Sequence, residues 1–137
     1  MKLVSACLLG IKCRYDGKSK PCQKVIDLFK EGKVIPVCPE QLGGLETPRD
    51  PAEQRGNKVF TNKGKDVTTK FNDGAKQALK IALLTNCKEA ILKSKSPSCG
   101  SNLVYDGTFS GKLIEGDGVF AKLLKKNKIK VFNENEI

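Results

Sequence analysis

The chain has 137 residues, with 25 lysines and arginines against 15 acidic residues, a formal charge of +10, and 39% apolar content. That size suits one core domain over residues 1–137 and excludes wholesale disorder, and no run approaches the roughly 18 apolar residues that a membrane-spanning helix needs. Histidine is absent, which excludes Ser-His-Asp and Cys-His nucleophilic sites and every mixed cysteine–histidine zinc site built from this chain alone.

Short apolar segments alternate with helical patterns along the chain. "KLVSA" at 2–6 predicts a first strand ending at Cys7. Pro21 opens a predicted helix in which Val25, Leu28 and Phe29 share one face, and Gly32 ends it. "KVIPV" at 33–37 predicts a second strand ending at Cys38; Pro36 removes a ladder donor and argues for a short, bulged or edge strand. The Gly-, Pro- and charge-rich stretch from Pro39 to Lys65 is long for a connection and predicts a functional loop or an embedded hairpin, with "VFTNKGK" as a turn signal.

Asp66 or Thr68 caps the clearest predicted helix, in which Phe71, Ala75, Ala78, Leu79, Ala82 and Leu83 recur at spacings of three and four. "EAILK" predicts a third strand, Asp117 a cap for a helix carrying Phe120, Leu123 and Leu124, and "IKVFN" a last strand. Strands separated by helices predict an α/β domain with a mostly parallel sheet, whose order the sequence leaves open.

Cys7, Cys38 and Cys99 each follow a predicted strand, and the carboxyl ends of parallel strands share one rim where ligands bind. No apolar leader precedes "VSAC" at 4–7, so a cytoplasmic location with no membrane partner is expected, and there metal ligation or thiol chemistry is a better default for cysteine than disulfides. Cys22 and Cys87 fall at helix ends and read as partly buried thiols. Cys13 shares the loop of Cys7. Four thiolates would close a zinc site, whereas three would hold an iron–sulfur cluster with one iron open and leave Cys13 beside it.

Gly10, Gly43, Gly44 and Gly100 stand beside these cysteines, where missing Cβ atoms would let backbone approach an inorganic group. Glu40, two residues after Cys38, is a candidate base toward water; its other readings are a helix cap or an ion pair with Arg49. Ser96 and Ser98 in "SPSCG" are candidate hydrogen-bond donors to a polar substrate, or simply stabilise a turn. "RYDG" at 14–17 and "YDG" at 105–107 each offer a tyrosine face to a planar ring, and Arg14 offers a charge to an anionic one.

Taken together, "SACLLGIKCRYDG", "VCPEQLGGLETPRDPAE", "KGKDVTTKF", "SPSCG" and "YDGTFSG" resemble the DUF523 family, which includes the thiouracil desulfidases, from about residue 4 to residue 134. The resemblance implies a Rossmann-like three-layer α/β domain that binds a [4Fe-4S] cluster through Cys7, Cys38 and Cys99, with one iron not ligated by cysteine. It also implies Glu40 and Ser98, or Ser96 in its place, as catalytic residues, with Cys13 and Ser96 adjoining the cluster. The implied reaction is non-redox desulfuration of a thiolated base such as thiouracil, in which Glu40 activates water and the open iron accepts sulfur released as sulfide.

A free base, a nucleoside and thiolated RNA offer the same group; the lack of a compact basic stripe interleaved with aromatics favours the small substrate. The competing reading is a noncatalytic metal or iron–sulfur scaffold protein, marked by Cys13 as a fourth ligand.

Overall fold

The computed structural model describes residues 1–137. In chain order the elements are β1 (Lys2–Ser5), a 3-10 turn over Ala6–Leu9, α1 (Gln23–Lys30), β2 (Val34–Val37), α2 (Pro39–Leu42), β3 (Ala52–Arg55) and β4 (Lys58–Thr61). Then come α3 (Thr68–Leu84), β5 (Glu89–Leu92), β6 (Leu103–Tyr105), β7 (Leu113–Glu115), α4 (Val119–Lys126) and β8 (Lys130–Asn133).

Four strands form a parallel sheet in the order β2-β1-β5-β8. Side-chain alternation divides its core. Leu3, Ala90 and Leu92 face α3 and α4, where Ala75, Ala78, Ala82, Phe120, Ala121 and Leu124 cover them. Val4 and Ile91 face the other way, onto Val25 of α1 and Leu8. Helices therefore cover both faces, as the apolar runs of buried parallel strands require.

Pro36 pairs with Val4 on β2, which is an edge strand, so its missing donor leaves no second neighbour unsatisfied. The stretch 39–65 contains α2 and the antiparallel β3–β4 hairpin, which turns at Gly56–Asn57. "VFTNKGK" makes a second turn, closed by a bridge between Phe60 and Asp66. Asp66 accepts the Thr68 N–H at 2.9 Å and so serves the start of α3.

Three expectations are corrected. Phe29 and Leu83 are 48% and 54% exposed and belong to the outer flanks of their helices. Asp117 does not cap α4: Gly118 holds that position, and the Asp117 carboxylate accepts from the Asn102 N–H at 2.8 Å and Lys125 Nζ at 2.7 Å. The β6–β7 hairpin, antiparallel and three residues a side, occupies a region for which the sequence predicted no element.

From β1 the chain crosses to β2 on one side and later continues from β5 to β8 on the other. At such a reversal, neighbouring loops diverge and leave a crevice beyond the carboxyl ends of the strands. Here it lies after Ser5 and Leu92.

Candidate active site

One cavity of ≈ 560 Å³ occupies that crevice and is lined by Cys7, Cys13, Cys38, Cys99, Glu40 and Ser96. Cys22 and Cys87 are not part of its wall; Cys87 lies in the core beneath α3 and Cys22 borders the core beneath α1.

Each thiol is delivered by a different local device. Cys7 lies in the 3-10 turn after β1, whose left-handed exit at Gly10 (φ 94) returns an N–H to the Cys7 carbonyl at 3.2 Å. Cys38 is the residue before α2, with extended backbone, and Pro39 starts the helix where its missing N–H costs nothing. Its thiol donates to the Cys13 carbonyl at 3.8 Å, joining the two loops.

Cys99 sits in a turn organised by Ser96, whose Oγ accepts the N–H groups of Ser98 at 3.1 Å and Cys99 at 3.0 Å. The same loop closes the start of α4. The Pro97 carbonyl accepts from Val119, and the Ser98 carbonyl accepts from Phe120 and Ala121. The loop's other end is tied down as well: Ser5 Oγ accepts the Lys93 N–H at 2.9 Å, and Glu134 binds Lys93 Nζ at 2.9 Å and the Ser94 N–H at 2.8 Å. Ser98 itself is fully buried, lies outside the cavity wall, and its Oγ has no hydrogen-bond partner.

The thiols are electrostatically crowded. The Cys13 thiol is pushed up to about 11: the Cys38 thiol opposes the shift, but the Cys7 thiol and burial outweigh it. Cys38 is raised well beyond the ordinary thiol range by the Cys13 thiol and by burial, and burial pushes Cys99 up to about 12 against the Ser5 hydroxyl. A bound cation reverses this balance, because thiolate is the form that ligates.

Glu40 lies in the first turn of α2, and burial raises its carboxyl above the ordinary range while Arg49 pulls it down. Arg49 Nε donates to Glu40 Oε1 at 3.2 Å, and the two side chains are only 8% and 17% exposed. The remaining donors of Arg49 reach the Cys13 carbonyl at 2.9 Å, the Glu46 carbonyl at 3.0 Å and Thr47 Oγ1 at 2.9 Å. This guanidinium binds the acid and the cysteine loop together. The sequence showed Arg49 only as a possible ion-pair partner, since its burial follows from three segments meeting in space.

Sequence reasoning also passed over Glu53, Lys20, Lys93, Lys95 and Phe109, which line the cavity. The tyrosines of "RYDG" and "YDG" both reach it, as does Arg14. The glycine expectation is corrected in part. Gly43 serves helix packing, because a Cβ there would lie 2.0 Å from the Lys70 carbonyl, and Gly10, Gly43, Gly44 and Gly100 are all absent from the cavity wall.

The arrangement fits an iron–sulfur group on its own chemistry. Its donors are soft thiols from three strand ends, with no imidazole. The buried Ser98 hydroxyl beside Cys99 has no hydrogen-bond partner.

A sequence profile of the 2-thiouracil desulfurase family matches residues 3–136. The chain is 46% identical over 147 residues to "Uncharacterized protein YbbK" of Bacillus subtilis (strain 168), covering 100% of this chain and 97% of YbbK. Among solved structures, the [4Fe-4S]-dependent thiouracil desulfidase TudS (DUF523Vcz) matches with a TM-score of 0.96 and 45% identity, over 99% of this chain and 91% of that one. Fold, length and sequence agree throughout, and the chain belongs to the 2-thiouracil desulfurase family.

Proposed function

We propose that the protein hydrolyses the C=S group of a small thiolated nucleobase or nucleoside to C=O, releasing hydrogen sulfide. In this reading Cys7, Cys38 and Cys99 hold a [4Fe-4S] cluster and leave one iron without a cysteine ligand. The observation that carries it is the opening of these three thiols, Glu40 and Ser96 into one cavity at the strand-end crevice. Family membership and the cofactor of TudS support the same assignment.

When bound, the cluster supplies a Lewis-acidic iron with affinity for the sulfur of the substrate. Glu40 takes a proton from the water that adds to the thiocarbonyl carbon, in a position fixed by Arg49. Ser96 Oγ already accepts two N–H groups, so its hydroxyl proton is available to the substrate. Ser98 is the deeper serine, and its Oγ, unpartnered and outside the cavity wall, is assigned no contact with the substrate. Cys13 is a neighbouring thiol rather than a ligand. The carbon keeps its oxidation state, and one water is consumed for each sulfide released.

Anaerobic reconstitution, followed by iron and acid-labile sulfide assays and a panel of thiolated bases, tests cofactor and reaction together. Cys7→Ser, Cys38→Ser and Cys99→Ser are expected to lose the cluster, while Cys22→Ser and Cys87→Ser retain it, with folding checked by circular dichroism. Equal iron loading in all five variants overturns the ligand set. A fully loaded protein that releases no sulfide from any thiobase favours the scaffold reading.

A further inference from the structure

The cavity has an aromatic wall that hydrolysis by Glu40 and a cluster does not use. Tyr15, Tyr105 and Phe109 line it together with the cysteines. Tyr15 is 42% exposed and already carries the Arg14 guanidinium 5.7 Å from its ring centroid. Phe109 is the unusual member. Its φ is 56, in the left-handed region that bulky side chains rarely enter and that recurs at ligand sites when the surroundings enforce it.

The enforcement comes from β3, across the molecule. The Glu53 carboxylate accepts the N–H groups of Gly107 at 3.0 Å and Phe109 at 3.1 Å with the same oxygen, and Arg55 Nε donates to the Gly107 carbonyl at 2.9 Å. Gly107, at φ 92, approaches β3 so closely that a Cβ would lie 2.6 Å from the Gln54 carbonyl. Glu53 also lines the cavity, so its carboxylate lies close to where a substrate binds while two backbone donors occupy it. A loop needed only to join β6 and β7 would relax to an ordinary backbone at residue 109; this one is clamped in a costly conformation that keeps an aromatic side chain in the cavity wall.

We propose that Phe109 is the stacking platform for the planar ring of the substrate and that Glu53 is the positioning residue that holds it there. This rests on the reading of the cavity as a thiobase site and adds the residue that recognises the ring, as distinct from those that act on its sulfur. Aromatic faces suit any pyrimidine, with or without sulfur.

The test uses the cluster-loaded protein, uracil as a ligand that cannot be desulfurated, and 2-thiouracil as substrate. Phe109→Gly removes the ring while suiting the left-handed backbone, so the melting temperature should be unchanged or higher. Its Kd for uracil and KM for 2-thiouracil are expected to rise about tenfold, the lower part of the range for loss of a stacked base. The loss should be carried by KM rather than kcat, and Phe109→Trp should restore binding. Glu53→Ala is expected to weaken uracil binding in the wild-type background and to add nothing in the Phe109→Gly background, because Glu53 acts through Phe109.

Unchanged Kd and KM in folded Phe109→Gly overturn the platform, and equal effects of Glu53→Ala in both backgrounds overturn the positioning role. Sulfide release by the wild type together with unchanged binding by Phe109→Gly removes this inference alone. Uracil binding that depends on Phe109, in a loaded protein that releases no sulfide, removes the hydrolytic reading alone.

Discussion

Arg49 donates to Glu40 and to the Cys13 carbonyl from one buried guanidinium, so the acid and the cysteine loop share a single support. Arg49→Met would leave the largely buried Glu40 carboxylate without a partner and the Cys13 carbonyl with only the Cys38 thiol. The expected loss is roughly 2–4 kcal/mol, less than for a fully buried pair because both side chains keep some solvent contact. Anaerobic urea denaturation of the loaded protein measures it, and a loss below about 0.5 kcal/mol would place the pair with ordinary surface ion pairs. Glu40→Gln separates chemistry from support: the cluster should remain while turnover falls ~100-fold or more, as for loss of a general base. Wild-type turnover in the folded, loaded Gln variant would end the base assignment. At this scale the sequence reveals residue type and neighbourhood. The placement of Cys7, Cys38 and Glu40 at the cavity was legible because each follows a strand by only a few residues; which of Ser96 and Ser98 lines it was not, because that depends on how the turn folds.

The contact between α2 and α3 decides where Cys38 and Glu40 sit. Gly43 and Gly74 allow it, and a Cβ on Gly74 would lie 1.8 Å from the Pro39 carbonyl. Helix propensity alone makes Gly74→Ala stabilising by about 1 kcal/mol, since residue 74 lies inside α3. Geometry reverses the sign, because the obstacle is backbone and cannot swing aside. Gly74→Ala is therefore expected to lower stability by about 2 kcal/mol or more and to reduce iron loading, since α2 must move and Cys38 immediately precedes it. A rise in melting temperature with full iron content would show that α2 does not need this close approach. Sequence periodicity found α3 through its phenylalanine and alanines, but a glycine within a helix reads as a weak point until the facing helix is seen. The β6–β7 hairpin escaped for a related reason: three-residue strands carry too little alternation, and their stability comes from pairing and from the clamp of Glu53.

Across the whole molecule, alternating strand and helix signals were enough for a parallel α/β architecture, whereas the order β2-β1-β5-β8 arises from long-range crossovers that no local window contains. That order brings three separated cysteines to the wall of one cavity, and it also sets where the +10 charge acts. Five basic residues line the cavity, but Arg14 pairs with Asp16 at 3.4 Å, Arg49 with Glu40 at 3.2 Å and Lys93 with Glu134 at 2.9 Å, leaving Lys20 and Lys95 without ion pairs. Two unpaired cations in a cavity wall suit a small ligand better than a polymer gripped along its backbone. Binding of 2-thiouracil should accordingly change less than about twofold between about 50 and 200 mM salt, whereas an RNA held through six or more phosphates would lose roughly a thousandfold. Measuring KM for 2-thiouracil and Kd for thiolated tRNA across that range separates the two. Tight, steeply salt-dependent tRNA binding, with faster sulfide release from tRNA than from the free base, would make the polymer the substrate and assign the excess charge outside the cavity to holding it.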